Sequence, residues 1–380
     1  MTRAPYDAVV VGLGGMGSAA LARSAERGLR VLGLERFGRG HDLGASSGKS
    51  RIIRQAYFED SAYVPLLLRA YDLWYDVSTR TQLEVMNLMG VLLVGSEGGQ
   101  VVRGSLESAR LHGLAVEHLT AAEIVQRFPM MRPRQDEVGV FERDGGAVFP
   151  EVAIDAHLRL AEAAGADTRF GVAVDGIAER GETLAVVLAD GEEIETRRVA
   201  LCQGPWLQPL FAQIGVPLVI QRNVQYWFKP GRPDFVPERM PGFLVSRPGL
   251  PGPLYGFPDF GGGVKAAFHS HGVATDPENL ERAISDDDLV PLQNALEEWM
   301  PGAGHEPLHG KACMYSNTPD EHFVIGLHPS DSRIAIAGGF SGHGFKFASV
   351  VGEIVSDLLA EGGTRHDIAF LSPLRFGAGV

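Results

Sequence analysis

The chain has 380 residues, of which 45% are hydrophobic, enough for a large core and more than one lobe. Its 34 basic and 47 acidic residues give a formal net charge of −13. This charge disfavours nonspecific binding to nucleic acid or to an anionic membrane, so small molecules are the expected partners. No apolar run reaches the length of a membrane span and a strand is predicted from residue 7, so we expect a cytoplasmic protein without a signal peptide.

The cysteine and histidine content predicts neither disulfides nor a metal site. Cys202 and Cys313 are too few for a disulfide framework, so both are expected to be reduced thiols. Neither belongs to a CxxC pattern, and His269 with His271 lacks a third ligand nearby. We therefore expect no metal.

The first predicted elements form a dinucleotide-binding unit. An apolar strand at residues 7–11 precedes a glycine-rich turn and a helix at 18–26, and a second strand at 30–34 ends at Glu35. The turn carries the three fingerprint glycines, Gly12, Gly14 and Gly17. They allow a tight turn, close approach of the backbone to a pyrophosphate, and close packing of the helix on the strand. Since Glu35 lies where a carboxylate can bind a ribose, the pattern predicts an ADP-containing cofactor and leaves FAD and NAD both open.

The middle of the chain is predicted to add further elements to the dinucleotide-binding unit and then to form a separate sheet. Helices are predicted at residues 63–78 and 151–165. They are followed by predicted strands at 168–174, 184–188, 193–198 and 199–204, the last ending in Gly204. From about residue 220 to 318, Pro, Gly and aromatic residues are frequent and short stretches alternate, which predicts a separate antiparallel sheet. The predicted architecture is α/β, with a discontinuous cofactor-binding domain at residues 1–80, 146–219 and 319–380 and a substrate domain at 81–145 and 220–318.

The C-terminal part predicts the second half of a cofactor site. A buried strand at residues 334–337 precedes a glycine-rich turn, and a helix is predicted from Lys346 to residue 359. The free N–H groups of that helix and the Lys346 ammonium would stabilise negative charge on a planar ligand such as a flavin. The alternative is an ordinary strand, turn and helix with a surface lysine.

Several further motifs match one family over essentially the whole chain. They are the N-terminal fingerprint, residues 50–57 (SRIIRQAY), residues 255–258 (YGFP), Lys265 with His269, residues 313–315 (CMY), residues 319–323 (PDEHF) and residues 339–353. In these motifs the chain resembles the family of monomeric sarcosine oxidase and N-methyltryptophan oxidase, amine-oxidising flavoproteins with covalent FAD. The resemblance implies a glutathione-reductase-like FAD-binding Rossmann domain beside the antiparallel-sheet substrate domain.

The resemblance also implies roles for single residues. Cys313 would form a thioether to the flavin, and Lys265 would promote the reaction with oxygen through a water. Arg54 and Lys346 would hold the substrate carboxylate in a pocket lined by His269 and Tyr315, and Arg51 would lie beside the isoalloxazine ring. The implied cofactor-binding set is Gly12, Gly14, Met16, Gly17, Glu35, Arg36, Ser47, Ser50, Arg51, Val174, Gly204, Cys313, Met314, Phe340, Gly342, Gly344, Phe345 and Lys346.

The chain departs from this family at Ser46-Ser47, where the relatives carry two adjacent histidines. The flavin face therefore has two fewer potential bases or cations, which bears on the rate of covalent attachment.

Each assigned residue type also has a purely structural interpretation. Cys313 could be a small buried hydrophobic residue, as we expect for Cys202. Arg51 and Arg54 could be surface charges on a helical turn, and Lys265 could extend from a strand to solvent. His269 and Tyr315 could be packing residues.

The predicted function is FAD-dependent oxidation of a secondary amine such as sarcosine or another N-methyl amino acid. Loss of a hydride equivalent from the amine would give an imine, which water hydrolyses to an aldehyde and a primary amine, and oxygen would be reduced to hydrogen peroxide. A cyclic imino acid or glycated amino acid as substrate, a dehydrogenase with another electron acceptor, and a non-catalytic flavin-binding protein stay open. We expect a monomer.

Overall fold

The structure is a computed structural model that describes residues 4–377. The strands are β1 (Tyr6–Val11), β2 (Val31–Glu35), β3 (Arg51–Ile53), β4 (Met86–Asn87), β5 (Val91–Ser96), β6 (Glu117–Thr120), β7 (Glu137–Glu142), β8 (Gly146–Val148), β9 (Asp167–Phe170), β10 (Val174–Arg180), β11 (Thr183–Leu188), β12 (Glu193–Leu201), β13 (Val219–Phe228), β14 (Gly242–Ser246), β15 (Leu254–Phe257), β16 (Val264–Phe268), β17 (Val273–Ala274), β18 (Pro307–Asn317), β19 (Val324–His328) and β20 (Asp331–Gly338). The α-helices are α1 (Gly15–Glu26), α2 (Val64–Thr81), α3 (Gln100–His112), α4 (Ala121–Arg127), α5 (Pro150–Ala163), α6 (Gln208–Gln213), α7 (Asp286–Trp299) and α8 (Ala348–Glu361).

The first sheet carries the dinucleotide unit. Strand β1 lies between β2 and β12, parallel to both, while β9 extends the sheet beyond β2 and β20 lies parallel to β12. Helices α1, α5 and α8 pack together against this sheet in one hydrophobic core with α2. The carboxyl end of β1 therefore meets the start of α1, as the fingerprint predicts.

The second sheet is mostly antiparallel. Its strand order is β17-β13-β16-β15-β14-β5-β7-β6, with β18 also paired to β13 and one parallel pair, β5 with β14. A separate core of aromatic and aliphatic side chains, centred on Trp299 and Phe243, lies between this sheet and α7. Strands from residues 91–142 and from 219–317 thus share one sheet, as expected for the proposed substrate domain, whose boundaries stay a prediction.

A small third sheet joins two distant parts of the chain. It has the order β3-β8-β4, and β3 begins at Arg51, which lines the cavity described below. The interpretation of Arg51 and Arg54 as charges on a helical turn is therefore wrong, because Arg51 lies on a paired strand and Arg54 is buried.

Three local predictions are also corrected. The predicted strand at 168–174 is two strands, because β9 pairs with β2 whereas β10 begins the antiparallel meander. The predicted strands at 193–198 and 199–204 are one continuous strand, β12, which ends at Leu201. A short 3₁₀ helix, Phe345–Phe347, precedes α8, so Lys346 lies just before the α-helix.

Candidate FAD site and substrate pocket

A cavity of about 530 Å³ connects the fingerprint to the C-terminal glycine turn. Many of the predicted site residues line it: Gly12, Gly14, Met16, Glu35, Arg36, Arg51, Arg54, Val174, Gly204, His269, Met314, Tyr315, Phe340, Gly342, Gly344, Phe345 and Lys346. The cavity thus brings together residues that are more than three hundred positions apart in the sequence.

The fingerprint glycines have the backbone geometry that their roles require. Gly12 has φ +88°, and a Cβ there would lie 2.7 Å from the Cys202 carbonyl oxygen. A Cβ on Gly17 would lie only 1.7 Å from the Gly12 carbonyl oxygen, so any side chain would push α1 off β1. Gly17 therefore acts through helix packing and does not line the cavity.

The start of α1 is suited to a pyrophosphate. Its N-cap residue is Gly14, which has no side chain to occupy the first N–H groups of the helix. The Gly15 N–H donates to Ser46 Oγ at 3.3 Å, so the first serine of the Ser46-Ser47 pair reaches the same edge of the cavity. Helix N–H groups beside a hydroxyl form a site that favours an anionic ligand.

Glu35 closes the adenosine end of the cavity. Its carboxylate accepts from the Leu13 N–H at 2.8 Å and from the Phe37 N–H at 3.0 Å, and it lies 3.4 Å from His41 Nε2. Burial acts to raise the pKa of Glu35, but these hydrogen bonds outweigh it and lower the pKa. Glu35 is therefore an ionised acceptor, as binding of a ribose hydroxyl requires.

Arg36 connects this part of the cavity to Glu278, which precedes α7 in the chain. Its guanidinium forms two hydrogen bonds to Glu278, at 2.5 and 2.9 Å, and lies over the rings of Phe37 and Trp206. The four side chains line the mouth of the cavity beside Glu35. The uncapped start of α1 and the fingerprint glycines fit the phosphate groups of FAD, and the ionised Glu35 carboxylate fits a ribose.

Arg51 and Cys313 mark the side of the cavity nearest the second sheet. Arg51 donates to the carbonyl oxygens of Ala45, Ser47 and Ser50, which fixes its guanidinium at the cavity wall. Cys313 lies on β18 and is buried, and its neighbour Met314 lines the cavity. Burial raises the pKa of the Cys313 thiol, while Arg51, Lys265 and Lys311 act in the opposite direction. These cations favour the thiolate that covalent chemistry needs.

Lys265 is buried behind the cavity wall. It is only 1% exposed, and its Nζ donates to the carbonyl oxygens of Gly48 at 2.6 Å and Ser50 at 2.7 Å. Burial, and then the nearby Arg51, lower the pKa of Lys265 well below its usual range. When protonated, the Lys265 amine keeps one N–H for a further partner beside the two carbonyl oxygens. Extension of Lys265 to solvent is thus wrong.

Arg54 and Lys346 share the far end of the cavity with an acid that the sequence prediction missed. Arg54 Nη2 contacts both oxygens of Glu59, at 2.5 and 2.7 Å. Burial acts to raise the pKa of Glu59, but Arg54, His343 and Lys346 lower it to about 2. Burial and Arg54 lower the pKa of Lys346 to about 7, against the opposing effect of Glu59. Arg54 therefore pairs directly with this internal anion, whereas Lys346, whose Nζ donates to the His343 carbonyl at 2.7 Å, interacts with it electrostatically.

The remaining pocket residues form a largely neutral wall. Tyr315 Oη and His269 Nδ1 are 3.3 Å apart, and burial lowers the pKa of His269 to about 4, so the imidazole is neutral at pH 7. Leu244 and Tyr255 complete this wall. A carboxylate held by the cations would thus place its neighbouring groups against uncharged side chains.

Five predicted residues do not line the cavity: Gly17, Ser47, Ser50, Lys265 and Cys313. Lys265 Nζ donates a hydrogen bond to the Ser50 carbonyl oxygen, and Ser47 Oγ donates one to the Asp42 carbonyl oxygen. The sequence prediction missed Glu59 and His343, although both lie within five residues of predicted cations.

A family model described as FAD dependent oxidoreductase matches residues 7–358 of the chain. The chain belongs to this family. FAD, and not NAD, is thereby its cofactor, and the resemblance seen in the sequence is confirmed. Within residues 4–377 no helix is long and apolar enough to cross a membrane, and no group of three or more His, Cys, Asp or Glu side chains is arranged to hold a metal ion.

Known proteins similar to the chain include two amine oxidases. Monomeric sarcosine oxidase of Streptomyces avermitilis is 43% identical and covers 98% of this chain and 98% of its own length. N-methyl-L-tryptophan oxidase of Escherichia coli O157:H7 is 33% identical and covers 98% and 99%, respectively. The solved structure of L-proline dehydrogenase from P. horikoshii has a TM-score of 0.86 over 98% of each chain, and at 23% identity this likeness concerns the fold.

Proposed function

We propose that the protein is an FAD-dependent oxidase of N-methyl amino acids that releases an aldehyde, a primary amine and hydrogen peroxide. Arg54 and Lys346, converging beside Glu59 at one end of the cavity, carry the proposal. Glu59 supplies a single negative charge beside two buried basic side chains, so when Lys346 is protonated one positive charge is left for a second carboxylate that joins or replaces Glu59. The similarity to sarcosine and N-methyltryptophan oxidases favours this substrate class over cyclic imino acids, glycated amino acids and a non-catalytic role.

Each part of the site has a task in this proposal. FAD, when bound, supplies the acceptor for the two electrons and the hydrogen that leave the amine carbon. Arg54 and Lys346 fix the substrate by its carboxylate, so that the neighbouring carbon always points the same way. Neutral His269 and Tyr315 pack on the rest of the substrate without competing for its charge. Water then hydrolyses the imine, and oxygen takes up two electrons and two protons.

Three further features belong to the proposal. Cys313 would hold FAD through a thioether, as the family resemblance implies; burial raises the pKa of its thiol, and Arg51, Lys265 and Lys311 oppose that rise. Lys265 would support oxygen reduction with positive charge where superoxide develops. The protein would act in the cytoplasm and as a monomer, and the name of its relative in Streptomyces avermitilis supports the monomer.

The carboxylate clamp is tested with Arg54→Lys, which keeps a charge but loses the planar fork. The variant is assayed on an N-methyl amino acid and on its uncharged amide. We expect kcat/KM for the acid to fall by a factor that corresponds to at least about 1.5 kcal/mol, the worth of a charged hydrogen bond, with little change for the amide. Equal losses on both substrates would reject the clamp.

A further inference from the structure

Two buried or partly buried carboxylates behind the cavity hold the backbone of residues 48–59, the segment that carries Arg51, Arg54 and Glu59. Glu142 ends strand β7, and Glu151 lies in the first turn of α5. We propose that both are positioning residues with separate tasks: Glu142 orients Arg54 for the substrate carboxylate, and Glu151 holds the turn that binds Lys265. The inference rests on the proposed function for the nature of the two tasks.

Glu142 holds Ala56, the residue whose carbonyl oxygen accepts from Arg54. Its two oxygens accept from the N–H groups of Gln55 at 2.6 Å and Ala56 at 2.8 Å, and the side chain is buried. The Ala56 carbonyl in turn accepts from Arg54 Nη1 at 2.9 Å. The carboxylate therefore orients this guanidinium through the backbone of one residue, Ala56, and Glu142 itself does not line the cavity.

Helix α3 supports the same loop from its other side. Ser108 Oγ donates to the Tyr57 carbonyl at 2.6 Å, and a Cβ on Gly104 would lie 2.6 Å from the Phe58 carbonyl oxygen. The Arg54 guanidinium lies 4.5 Å from the Tyr57 ring centre and 4.3 Å from that of Phe58. The loop is thus held by backbone contacts on both sides, and its aromatic rings pack on the cation.

Glu151 holds a strained turn next to Lys265. Its carboxylate accepts from the Gly48 N–H at 2.8 Å and from the Lys49 N–H at 3.2 Å. Gly48 has φ +109° and Lys49 has φ +67°, and the Ser50 N–H donates to the Gly48 carbonyl at 2.8 Å. Such a three-residue turn with positive φ at its centre is rare and persists only where its surroundings hold it. Its two carbonyls, of Gly48 and Ser50, are the acceptors of Lys265 Nζ.

The pairing of β3 with β8 explains why these two acids have matching roles. In the antiparallel register Arg51 lies opposite Val148 and Ile53 opposite Gly146. The residues just before β3 therefore meet the chain just after β8, where Glu151 lies, and the residues just after β3 meet the chain before β8, where Glu142 lies. The strand pair is a spacer between two separate contacts, so we expect their effects to be independent.

Glu142→Gln and Glu151→Gln test the division, and each is the matched control of the other. Glutamine keeps the size but replaces one acceptor oxygen with an NH₂ group that faces a backbone N–H. In the FAD-loaded protein, E142Q should weaken binding of acetate, followed by the flavin spectrum, at least tenfold and change the rate of reoxidation by oxygen less than twofold. E151Q should slow reoxidation at least tenfold and change acetate binding less than twofold. Equal effects of both variants on both measurements, or no effect of either, would overturn the inference.

Amide hydrogen exchange gives a readout that does not depend on turnover. Exchange at Gln55 and Ala56 should be faster in E142Q alone, and exchange at Gly48 and Lys49 faster in E151Q alone. If wild type oxidises no N-methyl amino acid, the proposed function fails, while exchange and acetate binding still decide the positioning roles.

Milder variants keep the test decisive if a glutamine variant does not fold. Ser108→Ala, which removes only the bond to the Tyr57 carbonyl, should weaken acetate binding and leave reoxidation unchanged. Lys49→Gly, which removes the strain of positive φ, should leave acetate binding unchanged and reduce the loss of reoxidation rate when combined with Glu151→Asp. The opposite assignment of effects in either variant would reject the division.

Discussion

Neutralising Glu59 should destabilise the protein and at the same time strengthen its binding of carboxylates. Glu59→Gln keeps the size of the side chain and removes the anion between Arg54 and Lys346. The pKa of Glu59 is lowered from 4.5 to about 2 because Arg54, His343 and Lys346 outweigh the opposing effect of burial. At about 1.4 kcal/mol per pKa unit, loss of the charge at pH 7 costs about 3 kcal/mol, close to the ~3–5 kcal/mol typical of breaking a buried ion pair.

The sign of this contribution follows from the direction of the shift. Because the folded-state pKa lies below the unfolded one, the stabilisation by Glu59 is complete above about pH 4.5 and is lost as the pH falls through about 2. Denaturant unfolding of E59Q at pH 7 should therefore show the full loss. Glu278→Gln is the matched control, because its ion pair with Arg36 is exposed, and such pairs contribute about 1 kcal/mol or less.

Acetate binding tests whether Arg54 and Lys346 bind an external carboxylate. In E59Q the two cations lack their internal anion, so acetate should bind more tightly than in wild type and restore part of the lost stability. Unchanged stability at pH 7, or weaker acetate binding by E59Q at equal flavin content, would refute this reasoning.

Three further predictions concern the cofactor and the two lysines. Cys313→Ser should release all yellow flavin on acid precipitation, whereas wild type should keep it on the protein; release from wild type would exclude the thioether. Lys265→Met should slow reoxidation by oxygen about 100-fold, as expected for loss of ~3 kcal/mol of charge stabilisation, and leave anaerobic reduction by substrate nearly unchanged; equal losses would contradict its assigned role. Since the pKa of Lys346 is lowered to about 7, acetate affinity should fall by up to tenfold per pH unit above pH 7; a flat profile, or the same profile in Lys346→Met, would show that Lys346 is not the titrating group.

The parts of the fold that depend on local chemistry could be predicted from the sequence. The positive φ of Gly12, the close packing of Gly17 and the position of Glu35 after β2 are requirements of neighbouring residues, so their spacing alone identifies them. The apolar strands predicted near residues 7–11 and 334–337 are in the parallel part of the first sheet, where both faces are buried.

The hydrogen bonds that hold the site residues in place could not be predicted in this way, because they join segments that are distant in the sequence. Glu142 is 86 residues from Ala56, and Lys265 is 217 residues from the Gly48 carbonyl that it binds. Neither hydrophobic periodicity nor motif spacing indicates which of these distant residues form pairs. The sequence does show an acid, Glu59, five residues after Arg54. Only the structure shows that the chain turns between them, so that the Glu59 carboxylate contacts the Arg54 guanidinium.

Oxidation of an N-methyl amino acid by the FAD-loaded protein tests the central claim most directly. Sarcosine, a larger N-methyl amino acid, proline and pipecolate are supplied in air, and hydrogen peroxide and aldehyde are measured against substrate consumed. We expect one peroxide and one aldehyde per N-methyl amino acid oxidised, with at least tenfold lower kcat/KM for the corresponding N-methyl amide. No peroxide from any N-methyl amino acid, or equal turnover of acid and amide, would contradict it.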